Sequence, residues 1–341
     1  LEEAGVGHGH RGEPTSGSTR ARLSATRSCP TAPPCHHAPV TTARRSILST
    51  SHGTRSEAFG SGEWGLFLGL SMVWGASFLF MAEGLEVFEP GLVTLWRVGL
   101  GAVTMLFVPG ARAPIDRADW PRLIVIGTLW LAVPFTLFPI AQQWIDSAVA
   151  GMLNGAMPIW TAVVSFLLLR EPPGRWQLIG LTVGFVGVIA IGLPSIGESD
   201  TAAIGVLLVV AATLCYAISA NIAAPLQQRY GAIPIAARAQ WVAVLLTLPY
   251  GLVSIPDSSW GWSPFFAMVA VGVIGTGIAF GAMSELVGRV GPTRASTITY
   301  VIPVVSLALG VWLRDESIAG LSILGCALVI AGAVLASRRE R

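Results

Sequence analysis

The 341-residue sequence predicts an all-α polytopic membrane protein, with ten transmembrane helices arranged as two inverted five-helix repeats. Three observations carry that prediction. The first is composition: 53% of residues are hydrophobic and 12% charged, against about 25% charged in a soluble domain, and the charges gather between apolar stretches. The second is length. Ten apolar stretches lie at roughly 65–82, 91–109, 122–140, 148–169, 177–194, 203–222, 234–253, 264–284, 293–313 and 318–336, each about long enough to cross some 30 Å of hydrocarbon. Alternating ten-residue strands are absent, so helices rather than a barrel must satisfy the backbone in lipid. The third is an internal echo. Pro158 and Pro303, Leu168 and Leu313, Glu171 and Glu316, Gly180 and Gly325, Gly187 and Gly332, Gly127 and Gly272, Phe135 and Phe280 are each 145 positions apart. One offset held over three spans marks a duplicated membrane unit. Five spans per unit is an odd number, so the two units insert with opposite orientation.

Residues 1–60 come first and read as a disordered tail. They are rich in Ser, Thr, Ala, Pro, Gly, His and Arg, with too little apolar surface to offset chain entropy. The acid-free stretch from Pro14 to Ser56 superficially matches an organellar transit peptide; a start placed too far upstream, or a plain disordered tail, is the alternative, and the first Met is Met72. No apolar h-region of a secretory signal precedes residue 64.

The first repeat follows over 64–194. Its first span carries Trp74 and Ser77. The second carries Arg97, seven residues after Pro90 and so about 10 Å into the helix. The fourth holds Asn154 and Pro158, and the fifth Gly180, Gly184 and Gly187. The second repeat occupies 203–337. Tyr216 and Ser219 lie in its first span, 142 positions after Trp74 and Ser77. Arg238 and Gln240 lie in the seventh span of the chain, Glu285 near the end of the eighth, Tyr300 and Pro303 in the ninth, and Gly320, Gly325 and Gly332 in the tenth. Both glycine sets suit close helix packing, within the chain or in a homodimer. Glu171 and Glu316 look like turn residues that cap the helices following them.

Arginine placement orients the bundle. Arg44, Arg45 and Arg55 precede the first span, and Arg112, Arg117, Arg122, Arg170, Arg175, Arg229, Arg289, Arg294, Arg338, Arg339 and Arg341 fall in the even loops and the C-terminus. Among the odd loops only Arg314 breaks the pattern. The positive-inside rule then puts both termini in the cytoplasm. Trp64, Trp120, Trp144, Trp176, Trp260, Trp262 and Trp312 sit near span ends, as an interfacial belt requires.

Several function classes fall away. The 21 basic residues are all Arg, so no G-x-x-x-x-G-K-[ST] phosphate loop exists. The five His residues all precede the first span, Cys29 and Cys35 lie in the tail, and Cys215 and Cys326 lie singly in spans; neither a metal site nor a cofactor is expected. No paired carboxylates or Ser–His set lies at depth, so the chain is not expected to be an enzyme. The dispersed net charge of +2 argues for no nucleic-acid partner.

At this point the residues resemble a family. The second repeat contains A-S-T-I-T-Y-V-I-P-V-V-S-L-A-L-G-V-W-L-R-D-E and then L-G-C-A-L-V-I-A-G-A-V-L-A. The first contains M-P-I-W-T-A-V-V-S-F-L-L-L-R-E and then I-G-L-T-V-G-F-V-G-V-I-A-I, and its opening span has V-W-G-A-S-F at Val73–Phe78. Together they resemble the EamA-type transporters of the drug/metabolite transporter superfamily, over nearly all of residues 64–337. The sequence departs from the pattern in its tail and in Cys215–Ser219, where the sixth span differs from the first. The resemblance implies a ten-helix basket around a central cavity, a small-molecule substrate, and export of amino acids or other small metabolites without ATP. The expected location is a bacterial inner (plasma) membrane.

The candidate substrate-binding residues are then Trp74, Ser77, Arg97, Asn154, Tyr216, Ser219, Gln240 and Tyr300, with Pro158 and Pro303 as hinge or gating positions. A charge at helix centre costs about 2.5–3.5 kcal/mol on insertion scales, so Arg97 either anchors a substrate carboxylate or phosphate, or is structural, snorkelling outward or paired with Asp146 or Glu89. Arg238, a turn inside its helix, reads as an inner-face snorkel. Only Glu285 of the 19 acids approaches a span interior, which leaves proton coupling without an obvious relay. A secondary exporter working by alternating access is the leading expectation. A non-transporting sensor or scaffold and a multidrug-type efflux carrier are its alternatives.

Overall fold

The structure, a computed structural model, describes residues 60–169, 174–198, 200–290, 295 and 297–336. Apart from Gly60, the tail expected over 1–60 lies outside the described residues, as do Arg170, Glu171, Arg294 and the C-terminal arginines.

All secondary structure among the described residues is helical. The first repeat comprises α1 (Ser61–Gly84) and α2 (Pro90–Met105), then one continuous helical stretch assembled from a 3-10 turn (Arg117–Asp119), α3 (Trp120–Ile126), a π-helical segment π1 (Gly127–Ala132) and α4 (Val133–Ala141). It ends with α5 (Ser147–Asn154), α6 (Met157–Leu169) and α7 (Arg175–Glu198). The second repeat comprises α8 (Asp200–Tyr230), α9 (Ala232–Val253), a stretch formed by α10 (Trp262–Val269), π2 (Ala270–Ile278) and α11 (Ala279–Val290), then α12 (Ile298–Arg314) and α13 (Gly320–Ala336). Seven helices among the described residues are long and apolar enough to cross a membrane, and two shorter apolar helices cover Ile298–Arg314 and Gly320–Leu335.

Local chemistry explains the helix ends. Pro90 opens α2, where a missing N–H costs nothing. Gly231 takes φ +86 between α8 and α9, a left-handed turn that a side chain resists. The N-terminus of α5 is capped across the bundle. Glu316 Oε1 accepts from the Ser147 amide at 3.0 Å and from the Ser147 hydroxyl at 2.6 Å, and Oε2 accepts from the Ala148 amide at 2.9 Å. Glu316 therefore caps a helix of the other repeat, not the one that follows it, and its charge suits a helix N-terminus.

The fourth span is broken rather than kinked at its proline. Helix α5 stops at Asn154; the Gly155 and Ala156 amides bond back three residues, to Met152 O at 3.1 Å and Leu153 O at 3.0 Å. Pro158 then falls in the first turn of α6, where it is tolerated. A Cβ on Gly155 would stand 2.6 Å from Pro303 Cγ, so the break lies directly on the other repeat's proline.

Packing between the repeats is reciprocal. A Cβ on Gly187 would lie 2.7 Å from Gly325 O, and one on Gly332 would lie 2.6 Å from Gly180 O. Gly325 is the 145-offset counterpart of Gly180, and Gly332 that of Gly187, so the Gly187–Gly325 and Gly180–Gly332 contacts are one pair with the repeats exchanged. Facing numbers on α13 fall as those on α7 rise, so these helices run antiparallel. Gly184, Gly187, Gly325 and Gly332 thus make close contacts within the chain, whereas nothing lies within 4 Å of a Cβ on Gly320. The same exchange occurs at the π segments. A Cβ on Gly127 would meet Val242 and Ala239 O of α9, and one on Gly272 would meet Leu100 and Trp96 O of α2.

All seven tryptophans assigned to the interfacial belt are exposed on the bundle surface, as is Trp241.

Candidate functional site

The site grows from π2. A π turn widens the helix and takes carbonyls out of regular i→i−4 pairing, and such turns recur at functional positions. Here Thr276 Oγ1 donates to Val271 O, five residues back, at 2.9 Å. Trp74 Nε1 of α1 donates to Gly275 O at 3.0 Å. Ser77, one turn on, donates to Val73 O within α1 and faces the Gly275 Cα.

Arg97 of α2 reaches the same turn. It is 7% exposed. Its Nε–H points at Thr276 Oγ1 from 3.5 Å, Nη1 meets Met81 Sδ at 3.0 Å, and the guanidinium carbon lies 3.7 Å from the centroid of the Phe135 ring. No carboxylate among the described residues lies within ion-pairing distance of it. The sequence expectation of Asp146 or Glu89 as a partner is therefore not met. A buried cation–π contact returns about 2 kcal/mol, less than the roughly 2.5–3.5 kcal/mol an arginine costs at this depth. The balance favours an anion arriving beside Arg97.

Gln240 of α9 closes the group. It is fully buried, and neither amide atom has a hydrogen-bond partner. It packs on Gly101, one turn beyond Arg97: a Cβ there would stand 2.9 Å from Gln240 Oε1 and 2.7 Å from Thr276 Cγ2. An unsatisfied buried polar group costs about 1–3 kcal/mol, so this amide too favours a visiting partner.

Aromatic side chains from both repeats pack in two groups around Trp74 and Tyr216. Trp74 meets Phe280 at 6.2 Å and Trp130 meets Phe280 at 4.9 Å, both edge to face. Tyr216, the counterpart of Trp74, meets Phe138 at 6.0 Å, and Phe138 meets Phe78 at 5.3 Å. Tyr216 and Arg97 are close enough to interact electrostatically.

The other predicted residues are placed less centrally. Asn154 ends α5 at the broken span, with Oδ1 buried and unpartnered. Ser219 is fully buried with an unpartnered hydroxyl. The Tyr300 hydroxyl donates to Ala333 O of α13 at 3.0 Å, away from the Arg97 group. Arg238 binds the Ala111 and Ala113 carbonyls after α2.

Ion pairs tie both ends of α1. Near Gly84, Arg314 pairs with Glu86 at 3.0 Å and Glu83 at 3.5 Å, and Ser263 donates to Glu83 at 2.6 Å. At the other end Arg289 meets Glu63 at 3.4 Å. The Glu83 end opens into a vestibule of about 710 Å³ lined by Glu83, Glu86, Ser263 and Arg314. It shares Leu79, Phe80 and Leu313 with an apolar cleft of about 330 Å³ that reaches Ser77.

Sequence reasoning missed Phe135, Thr276, Met81 and both π segments as parts of a site. Gly127 with Gly272 and Phe135 with Phe280 stood in the repeat pattern, but nothing in their identity marks a wide helical turn.

Comparison with known proteins agrees with this architecture. The EamA-like transporter family matches residues 63–193 and 203–338. The uncharacterized transporter YoaV of Bacillus subtilis is 25% identical over 275 residues, covering 78% of this chain and 93% of its own length. The uncharacterized inner membrane transporter YedA of Escherichia coli is 26% identical, covering 80% and 89%. A probable terminal-alkyne amino-acid exporter of Streptantibioticus cattleyicolor is 24% identical, covering 81% and 93%. A solved crystal structure superposes with a TM-score of 0.59 at 20% identity, over 82% of this chain and 97% of that one, and shares the fold.

Proposed function

The chain belongs to the EamA-like transporter family, and we propose that it is a secondary exporter of small organic metabolites, amino acids or related carboxylate-bearing solutes, working by alternating access. The observation that carries this reading is Arg97, buried among neutral groups with no counter-ion among the described residues. A carboxylate from the substrate supplies the missing charge. Trp74, Ser77, Tyr216 and Gln240 shape the site around it, with Asn154, Ser219 and Tyr300 further out.

Ten spans in two inverted repeats account for the reciprocal glycine contacts and for the antiparallel pair α7 and α13. Inverted repeats place a substrate site at their interface and supply two exchangeable conformations. The Gly155–Pro158 break and Pro303, in contact across that interface, serve as the hinge. Arg314 with Glu83 and Glu86 lines the outer mouth. Both termini face the cytoplasm, and the membrane is the bacterial inner membrane.

The test is transport in proteoliposomes against a metabolite panel, comparing wild type with Arg97→Ala and Arg97→Lys. Arg97→Ala is expected to lower flux of a carboxylate-bearing solute at least tenfold with little change in Tm. Arg97→Lys should rescue only part, because it lacks the planar fork. Normal flux in Arg97→Ala refutes the assignment.

A further inference from the structure

We propose that the Arg97 site accepts one negative charge and no other, so that the carried species is a monocarboxylate without a free ammonium group, held between Arg97 and Gln240. This narrows the exporter reading above and rests on it.

Arg97 and Gln240 are structural counterparts. The Trp96 carbonyl and the Ala239 carbonyl make equivalent close approaches, to Gly272 and Gly127, and the next residue along each helix is Arg97 in one repeat and Gln240 in the other. Both side chains reach one patch, since Gln240 Oε1 and the Thr276 methyl both border Gly101, and Thr276 Oγ1 faces the Arg97 Nε. The duplicated site is therefore charged in one half and neutral in the other. Arg97 offers its fork to a carboxylate, and Gln240, both of whose amide atoms lack a partner, stands on the facing helix as a neutral group that adds no second charge.

Charge arithmetic sets the selectivity. In a low-dielectric site an uncompensated charge is costly. A monoanion on Arg97 leaves a neutral complex, a zwitterion leaves +1, and a dianion leaves −1. Among the described residues an ammonium group finds no free acid beside Arg97, and the Gln240 Oε1 offers it only a neutral acceptor. Glu63 is paired with Arg289, Glu83 and Glu86 with Arg314, and Asp116 and Asp119 with Arg229, all at helix ends. The Phe135 face is taken by Arg97 itself. Because Arg97 stays with the protein, each turnover moves one negative charge, and a potential negative inside drives that charge outward. A 100 mV potential shifts the equilibrium ratio about 50-fold.

Three probes sharing one ring and differing in charge test the idea: phenylacetate, phenylalanine and phenylsuccinate. Binding is read as the shift in Tm of the purified full-length protein, and efflux from proteoliposomes under potassium–valinomycin potentials. Phenylacetate is expected to bind at least tenfold tighter than the other two, and its final gradient to follow the imposed potential. Gln240→Leu should weaken phenylacetate about tenfold without lowering the unliganded Tm, since it removes an unpartnered amide. Arg97→Gln should abolish the preference. Phenylalanine binding as tightly as phenylacetate, no binding of phenylacetate, or efflux indifferent to potential each overturns the charge rule while leaving a carrier in place. Flux of any panel solute that ignores Arg97→Gln overturns the Arg97 site and this inference together.

Discussion

The guanidinium carbon of Arg97 lies over the Phe135 ring, 3.7 Å from its centroid, and this contact joins the second and third spans of the first repeat. The ring holds the charge at depth without neutralising it. A carboxylate partner would have stabilised Arg97 more, but would also have filled the place proposed for an anionic substrate.

Phe135→Leu keeps an apolar side chain and removes the π face. The loss of about 0.5–2 kcal/mol of cation–π energy is expected to lower carboxylate flux several-fold with Tm within a few degrees of wild type. Phe107→Leu, at an exposed ring after α2, should leave flux unchanged. Equal flux in Phe135→Leu and wild type would remove the ring from the site.

The crossing of α7 and α13 depends on absent side chains. A Cβ at Gly187 would stand 2.7 Å from both Gly325 O and Val329 N, backbone atoms that cannot step aside. Gly187→Ala should cost about 1–3 kcal/mol through overpacking, read as a lowered Tm in detergent. Gly69→Ala is the control, because nothing lies within 4 Å of its added methyl, and its Tm should not fall.

Glu316 caps α5 with both carboxylate oxygens. Glu316→Gln turns one acceptor into an amide donor facing the Ala148 N–H. Charge-assisted bonds are worth about 1.5–3 kcal/mol, so a clear loss of thermal stability is expected. Glu316→Asp should recover little, being too short to bridge Ser147 and Ala148. An unchanged melting curve for Glu316→Gln would show the cap to be dispensable.

Topology is tested with single cysteines on a background lacking the native four. Asp257 and Arg117 are both exposed and belong to loops of opposite arginine content. Asp257→Cys should react with an impermeant maleimide on intact cells, and Arg117→Cys only after permeabilisation. Labelling of both from one side would overturn the orientation.

Much of this was legible in the sequence. Arg97 announced itself because a charge inside an apolar run is expensive, and Trp74, Ser77, Tyr216 and Ser219 through their shared offset. Gln240 was one polar residue among several, and only its contact with Gly101 and Thr276 separates it from Tyr300, whose hydroxyl is spent on Ala333. Thr276 and Phe135 looked like ordinary span residues. Pro158 stood out as a hinge or gating candidate, and the turn that interrupts the fourth span lies just before it, at Gly155 and Ala156, where Pro303 packs on the backbone.

The sequence by itself determined the helical class, the duplicated unit and the place of Arg97 inside an apolar run. Each follows from local free energy: apolar length against bilayer thickness, and the cost of charge in hydrocarbon. Tertiary structure decided which groups meet. The π turns, the absence of a counter-ion beside Arg97 among the described residues, and the facing of Arg97 and Gln240 across the repeats depend on helices far apart in the chain. Contacts between such helices are set by packing of whole surfaces, which no local pattern of residues encodes.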